Sequence, residues 1–237
     1  MPNSKDRFQN QLLTALREKD RSEVARFLTP VLLRTGTVLA EPYTSLKYLY
    51  FPHESMVSMV SVVAEGTSVE IAMVGPEGLV GATALLQRES IPYRIVVQVP
   101  GGASRIELKK LKRLFDEHVR LRHLICRYLH ALVAQVAQSA VCSRFHSIEQ
   151  RLARWILASR DRTRRNTFPY TQEFLGYMLG TDRSSVTIAA GLFKRAGLIN
   201  YRRGSITVID SKGLEKLACE CYSLLKREFQ VVAHPPA

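Results

Sequence analysis

The spacing of apolar positions changes three times along the chain. Over residues 4–28 they recur at helical intervals, with Phe8, Leu12, Leu13 and Leu16 on one side, which predicts an amphipathic helix. From about Leu32 the pattern breaks into short runs rich in Val, Ile and Tyr: TVLAEPYTS, KYLYFPHES, MVSMVSVVAEGTS, VEIAMVGPEG, YRIVVQVPGG and ASRIELKK. Turn residues such as Gly75-Pro76 and Pro100-Gly101 separate them. They predict many short strands closed into a β-roll, jelly roll, barrel or sandwich. Near Leu108 the period turns helical and holds to about Ala140. Leu121, Ile125, Tyr128, Leu132, Val136 and Ser139 recur there at alternating spacings of four and three. A seam repeating every 3.5 residues suits two long helices packed along their length, and it also suits one helix lying on its own β domain. Dimerisation is the preferred reading.

A second helical segment, SIEQRLARWILASRDR, follows Phe145-His146 and turns Ile148, Leu152, Trp155 and Ile156 inward. Arg160–Asn166 reads as a polar surface connection. The stretch Thr171–Val208, TQEFLGYMLGTDRSSVTIAAGLFKRAGLINYRRGSITV, then carries the most specific pattern in the chain. Leu175 and Leu179 share one helical face. Asp182 can cap a second helix, in which Val186, Ala189 and Phe193 recur at helical spacing until Gly197 ends it. Gly176 permits close approach and Gly180 a sharp bend. A hairpin turns at Arg203-Gly204. These parts predict a helix-turn-helix followed by a β wing. The second helix presents Arg183, Ser184, Thr187 and Ile188 near its start, where such a helix meets base edges, with Ile188 either facing a thymine methyl or buried. Gln172, Ser185, Arg202 and Arg203 are candidate phosphate partners. GLEKLACECYSLLKREF closes as an amphipathic helix, and HPPA reads as a frayed end.

Charge sharpens this picture. The 237 residues carry a net charge of +13, which favours an anionic partner. Residues 144–237 hold 16 Lys and Arg against 8 Asp and Glu, and the rest hold 18 against 13, so the excess concentrates around the helix-turn-helix. No lipidation signal or sustained apolar run favours a membrane. The opening MPNSKDRFQNQ lacks the apolar core of a secretory signal, and Cys126, Cys142, Cys219 and Cys221 are too few and scattered for a disulfide framework. Reduced thiols in the cytoplasm are expected. Cys219-x-Cys221 is a candidate for metal binding or oxidation, but adjacent helical positions diverge and the six histidines show no zinc spacing, so no metal site is expected.

The order of parts resembles the Crp/Fnr family of bacterial transcription regulators. The resemblance covers roughly residues 20–230 and is carried by QRLARWIL, TQEFLGYMLGTDRSSVT, AGLINYRRGSITVID and Gly75-Pro76-Glu77-Gly78-Leu79-Val80-Gly81. It implies an α+β fold: a cyclic-nucleotide-binding-like β-roll sensor over residues 1–107, a dimerisation helix over 108–143 and a winged helix-turn-helix over 144–237. It implies a homodimer on double-stranded DNA that also contacts RNA polymerase. In the family's nucleotide pocket a glutamate follows the third glycine and an Arg-Ser or Arg-Thr pair holds the phosphate. Gly78 and Gly81 match, but Ala82 stands for the glutamate, and Arg94 is followed by Ile95. Each lost hydrogen bond to a charged group is worth about 1.5–3 kcal/mol, which argues against cAMP as effector. No cofactor is expected and the effector is left open. The iron–sulfur branch needs an N-terminal cysteine cluster that is not present. His53, His118 and His123 read as ordinary histidines rather than haem ligands. In the reading helix Arg183 matches a base-contacting arginine, whereas Ser184 and Ile188 depart from the pattern and imply a different half-site.

Two other functions compete. A cyclic-nucleotide signalling module with a vestigial DNA domain is disfavoured by Ala82 and Ile95. A jelly-roll enzyme needs clustered ligands or a nucleophile–base pair, and His53, Glu54, Glu65, Glu70 and Glu77 show no metal-ligand spacing.

Overall fold

A computed structural model describes residues 10–63, 68–86 and 90–233. The expected N-terminal helix is two shorter ones, α1 (Gln11–Ala15) and α2 (Glu18–Ala25), because the chain is extended at Leu16 and Arg17. Asn10 explains the start. Its Oδ1 accepts from Leu12 N and Leu13 N, and its Nδ2 donates to the Pro52 and Gly78 carbonyls at 3.0 and 2.8 Å, fastening α1 to the roll. The break then lets Leu16 and Val24 both reach the core. Phe8 and the terminal HPPA lie outside the described residues.

Among the described residues seven strands follow: β1 (Thr29–Leu33), β2 (Val38–Ala40), β3 (Tyr48–Pro52), β4 (Met56–Val62), β5 (Ser68–Val74), β6 (Arg94–Val99) and β7 (Gly101–Glu107). They form two antiparallel sheets, β1-β7-β3 and β2-β6-β4-β5, around a core that includes Leu49, Phe51, Val57, Ile95, Val97 and Ile106. β1 starts before the expected change of pattern, with Pro30 near its beginning.

The long helical stretch is also broken. α3 (Leu108–Glu117) and α4 (Val119–Phe145) meet at His118, whose Nε2 lies 2.7 Å from the Glu23 carboxylate on α2. The expected dimer seam requires correction: Leu121, Ile125, Tyr128 and Leu132 are all buried in the core of their own β-roll, with Val136 packed against it. The 3.5-residue spacing is real, but the β-roll occupies it. On the opposite face of α4, His123, Cys126, His130, Val133, Ala137 and Ala140 repeat at the same alternating spacing and are exposed.

α5 (Ile148–Thr163) opens with a capping box in which Ser147 and Gln150 satisfy each other's backbone N–H groups. It runs through Arg160–Thr163, so the expected surface connection shrinks to the residues from Arg164, where the backbone turns left-handed. A short strand unforeseen in the sequence, β8 (Thr167–Phe168), precedes α6 (Gln172–Leu179) and α7 (Arg183–Arg195). β9 (Ile199–Arg202) and β10 (Ser205–Val208) complete a three-stranded sheet ordered β8-β10-β9. Then come α8 (Ser211–Leu217) and α9 (Cys221–Ala233).

The two halves share a core. Met56, Val60, Met73 and Val99 of the roll cluster with Trp155, Tyr170, Met178 and Leu179. At the centre is Glu70 on β5, a half-buried residue. Its carboxylate accepts from Trp155 Nε1 at 2.8 Å, from Gln98 Nε2 at 3.1 Å and from the Ser58 hydroxyl. Beside it, Arg162 on α5 pairs with Glu77 at 2.6 Å. α9 returns to lie on α4, placing Phe229 and Val232 in the roll's own core.

Burial pushes the Glu70 carboxyl up to about 7, against the opposing pull of its hydrogen bonds from Ser58 and Trp155 and of the Arg154 and Arg162 charges. Because the folded-state value is raised, the stability conferred by this residue is complete below the ordinary carboxyl range and is lost as pH rises through about 7. Glu70→Gln removes the titration while keeping a side chain of the same shape. Chemical denaturation between about pH 5 and 8 should show the wild type losing more stability than the variant. Equal losses would contradict this assignment.

Candidate functional site

Local chemistry fixes the second helix of the helix-turn-helix motif. Asp182 caps α7, accepting from Ser185 N at 2.8 Å and from the Ser184 and Ser185 hydroxyls. Those three bonds hold the exposed Asp182 carboxyl well below the usual range, with the Ser184 bond the largest cause. Gly180 takes the left-handed conformation at φ 60° in the turn. A Cβ on Gly176 would stand 2.9 Å from the Thr181 carbonyl oxygen, so the close approach of the two helices needs glycine there. Val186, Ala189 and Phe193 are buried, which leaves the other face of α7 outward.

That outward face carries Arg183, Ser184, Thr187 and Ile188. Ile188 is 62% exposed, which removes the buried alternative, and Leu192 one turn on is also exposed. Thr187 Oγ1 donates to the Arg183 carbonyl at 2.8 Å and keeps the free side of its hydroxyl outward. Ser184 and Ser185 are both tied to Asp182, and Ser185 is half-buried, so the two hydroxyls chiefly organise the helix start.

The wing is a two-residue hairpin. Arg203 and Gly204 both have positive φ, 49° and 74°, the pattern of a type I′ turn whose twist matches its strands. Arg202 and Arg203 are exposed at its tip. The hairpin is held close to α6: the Tyr201 hydroxyl donates to the Tyr170 carbonyl at 3.3 Å, and Gly204 lies against Thr171, the N-cap of α6. The Arg183 charge and the backbone of Gln172 both act on the Tyr201 phenol, whose titration is raised first by burial. Lys194 Nζ reaches the Tyr201 carbonyl at 3.5 Å. Gln172, Arg183 and the wing therefore border one face around Tyr201. Tyr201 and Lys194 were missed in the sequence, because only the strand pairing brings them beside α6 and α7.

The residues matching the nucleotide pocket are arranged differently. Arg94 Nε pairs with the Glu41 carboxylate at 2.8 Å. Ala82 and Ile95 are buried. The backbone around Gly78 is packed against Tyr128, whose phenol a Cβ there would meet at 2.6 Å, and Gly81 lies against Leu49 and Leu46. Among the expected non-ligand histidines, His53 faces the Ser104 hydroxyl at 3.1 Å, His118 is bound to α2 and His123 is exposed. A separate cleft of about 370 Å³ opens between the roll and the C-terminal half, lined by residues that include Glu77, Arg154, Asp161, Arg162 and Lys226.

Two family models match the chain: a cyclic nucleotide-binding domain over residues 30–118 and a Crp-like helix-turn-helix domain over residues 150–217. Among solved structures, FixK2 from Bradyrhizobium japonicum is 13% identical with a TM-score of 0.68, covering 81% of this chain and 98% of that one. A CRP/FNR-family transcriptional regulator from Thermus thermophilus is 22% identical with a TM-score of 0.66, covering 80% and 98%. The c-di-GMP-responsive global regulator CLP of Xanthomonas campestris is 14% identical with a TM-score of 0.66, covering 81% and 99%. At these identities the likeness is one of fold. No curated protein sequence matches the chain.

Proposed function

The chain belongs to the Crp/Fnr family of transcription regulators, and on that premise we propose that it is a homodimeric, sequence-specific DNA-binding regulator whose β-roll modulates its reading heads. The observation that carries the reading is the single exposed face formed by Arg183, Thr187 and Ile188 beside Tyr201, Gln172 and the Arg202-Arg203 wing. Arg183 reads a guanine through O6 and N7, and Ile188 meets a thymine methyl. Arg202 and Arg203 neutralise phosphates without choosing sequence, and Gln172 adds a polar backbone contact. Contact with RNA polymerase goes with the family reading. Among the described residues no helix is long and apolar enough to cross a membrane, and the free thiols fit a reducing cytoplasm.

The dimer forms through the exposed stripe of α4. His123, Cys126, His130, Val133, Ala137 and Ala140 offer the narrow exposed seam that a partner helix needs, and Val133 at its middle is 67% exposed. Effector binding differs from the cAMP mode, since Arg94 is engaged by Glu41 and Ala82 offers no acceptor to a ribose. The signal acts by favouring one packing of the two halves over another.

Selection of bound sequences from a random DNA pool tests the central reading, with a two-fold-symmetric site as the expected result. Arg183→Ala should lose discrimination at one base pair of each half-site, at a cost of about 1–3 kcal/mol there. Arg202→Ala should weaken binding to all sequences and lower the salt slope by about one unit. Unchanged base preference in the first variant counts against the assignment. Val133→Glu places a charge in the seam of both subunits. Sedimentation should show a dimer for the wild type and a monomer for the variant, whereas a variant dimer would move the interface elsewhere.

A further inference from the structure

Three thiols and one imidazole converge where the dimer-facing helix meets the DNA-reading half. Cys142 lies in the last turn of α4 and His146 is the residue that ends it. Cys219 lies in the loop after α8, and Cys221 is the first residue of α9. In a continuous helix Cys219 and Cys221 would diverge, as the sequence suggested. The chain leaves the helix at Ala218, which lets the two thiols face the same point.

The four candidate ligand atoms all lie within 4.8 Å of one another. Cys142 Sγ and Cys219 Sγ are 3.6 Å apart, and Cys221 Sγ is 3.4 Å from His146 Nδ1. A tetrahedral zinc ion with ordinary Zn–S and Zn–N bonds holds its ligand atoms about 3.5–3.8 Å apart. A disulfide needs its sulfurs at about 2.05 Å, and all three thiols are free. All three cysteines are buried, and thiols alone make only weak hydrogen bonds there.

The surroundings also suit a metal. His146 Nε2 faces the Glu220 carboxylate at 3.2 Å, which leaves Nδ1 as the ligand nitrogen, an arrangement that orients metal-bound imidazoles. Gln138 Nε2 donates to Cys221 Sγ at 3.0 Å, a bond that favours a thiolate. Three thiolates on a divalent ion leave one negative charge. The Arg154 charge acts on Cys142, and Arg151 is influenced by Cys142 and Cys219, so both guanidiniums oppose that charge.

We propose that Cys142, His146, Cys219 and Cys221 form a Cys3His site for Zn2+ that ties the end of α4 to the start of α9. Thiolate and imidazole donors exclude Mg2+ and Ca2+, which take oxygen ligands, and four such donors clustered within 4.8 Å match Zn2+. Binding joins four ligands and releases thiol protons to solvent, with no change of oxidation state. The α4–α5 connection is only His146-Ser147, so the ion supplies a second link across it and fixes the angle at which the reading half leaves α4. The site rests on its own geometry and stands independently of the DNA sequence that the protein reads.

The full-length protein, purified under reducing conditions without chelator, should contain about one zinc per chain by elemental analysis. Exchange with Co2+ should give the visible ligand-field bands and thiolate charge transfer of a tetrahedral site. Glu220→Gln keeps the four ligands and should weaken zinc retention against a competing chelator by roughly tenfold. Cys219→Ser should abolish the Co2+ thiolate spectrum, and Cys126→Ser should leave it intact. If Cys219→Ser fails to fold, chelation and zinc return on the wild type decide the matter: the unfolding temperature should fall and then recover. A protein whose thiols stay free while it neither holds zinc nor takes up Co2+ overturns the proposal. So does a Cys142–Cys219 disulfide under the same reducing conditions, or zinc content that Cys219→Ser leaves unchanged.

Discussion

A carboxylate that belongs to one half of the molecule finds its partners in both. Glu70 projects from the edge strand of the β-roll and takes hydrogen bonds from Ser58 and Gln98 of the roll and from Trp155 of α5. In an apolar surround these bonds are strong, and losing any of them is costly. The apolar groups around it, among them Met56, Met73 and Met178, are adaptable, and thioether packing tolerates small shifts. The polar centre therefore fixes how the two halves meet, with methionines packed around it.

The glycines that match the family's pocket are tightly packed in the roll. Gly78 admits the Tyr128 ring from α4 and Gly81 admits Leu49, so the turn that follows β5 is packed against the roll and its long helix. α4 in turn bears both the exposed stripe and the residues that meet α9.

Much of the reading head was legible from sequence because its signals are local. A capping Asp182, a left-handed Gly180, a Gly176 at the crossing and an Arg203-Gly204 turn each act within a few residues. Most of the failures were non-local. A heptad spacing on α4 gives the same period on opposite faces, so the pattern around Leu121 and Tyr128 could not reveal that the roll would claim it and leave Cys126 and Val133 outside. The break at His118 is held by Glu23, far away in sequence. Cys142 and His146 are separated from Cys219 and Cys221 by the whole winged helix, and only the return of α9 along α4 brings them together. Arg160–Asn166 looked like a linker from its polarity, yet its first residues are held in α5, with Arg160 bonded to Asn166.

The path of α9 has a consequence for how such molecules diversify. Phe229 and Val232, at the end of the DNA-reading half, complete the hydrophobic interior of the sensing half, with Phe229 set against Tyr128. The halves adjoin at His146 in sequence but interlock in space. A foreign reading head grafted on at that junction would leave an apolar trench along α4, so recombination between relatives must carry the tail helix and its groove together.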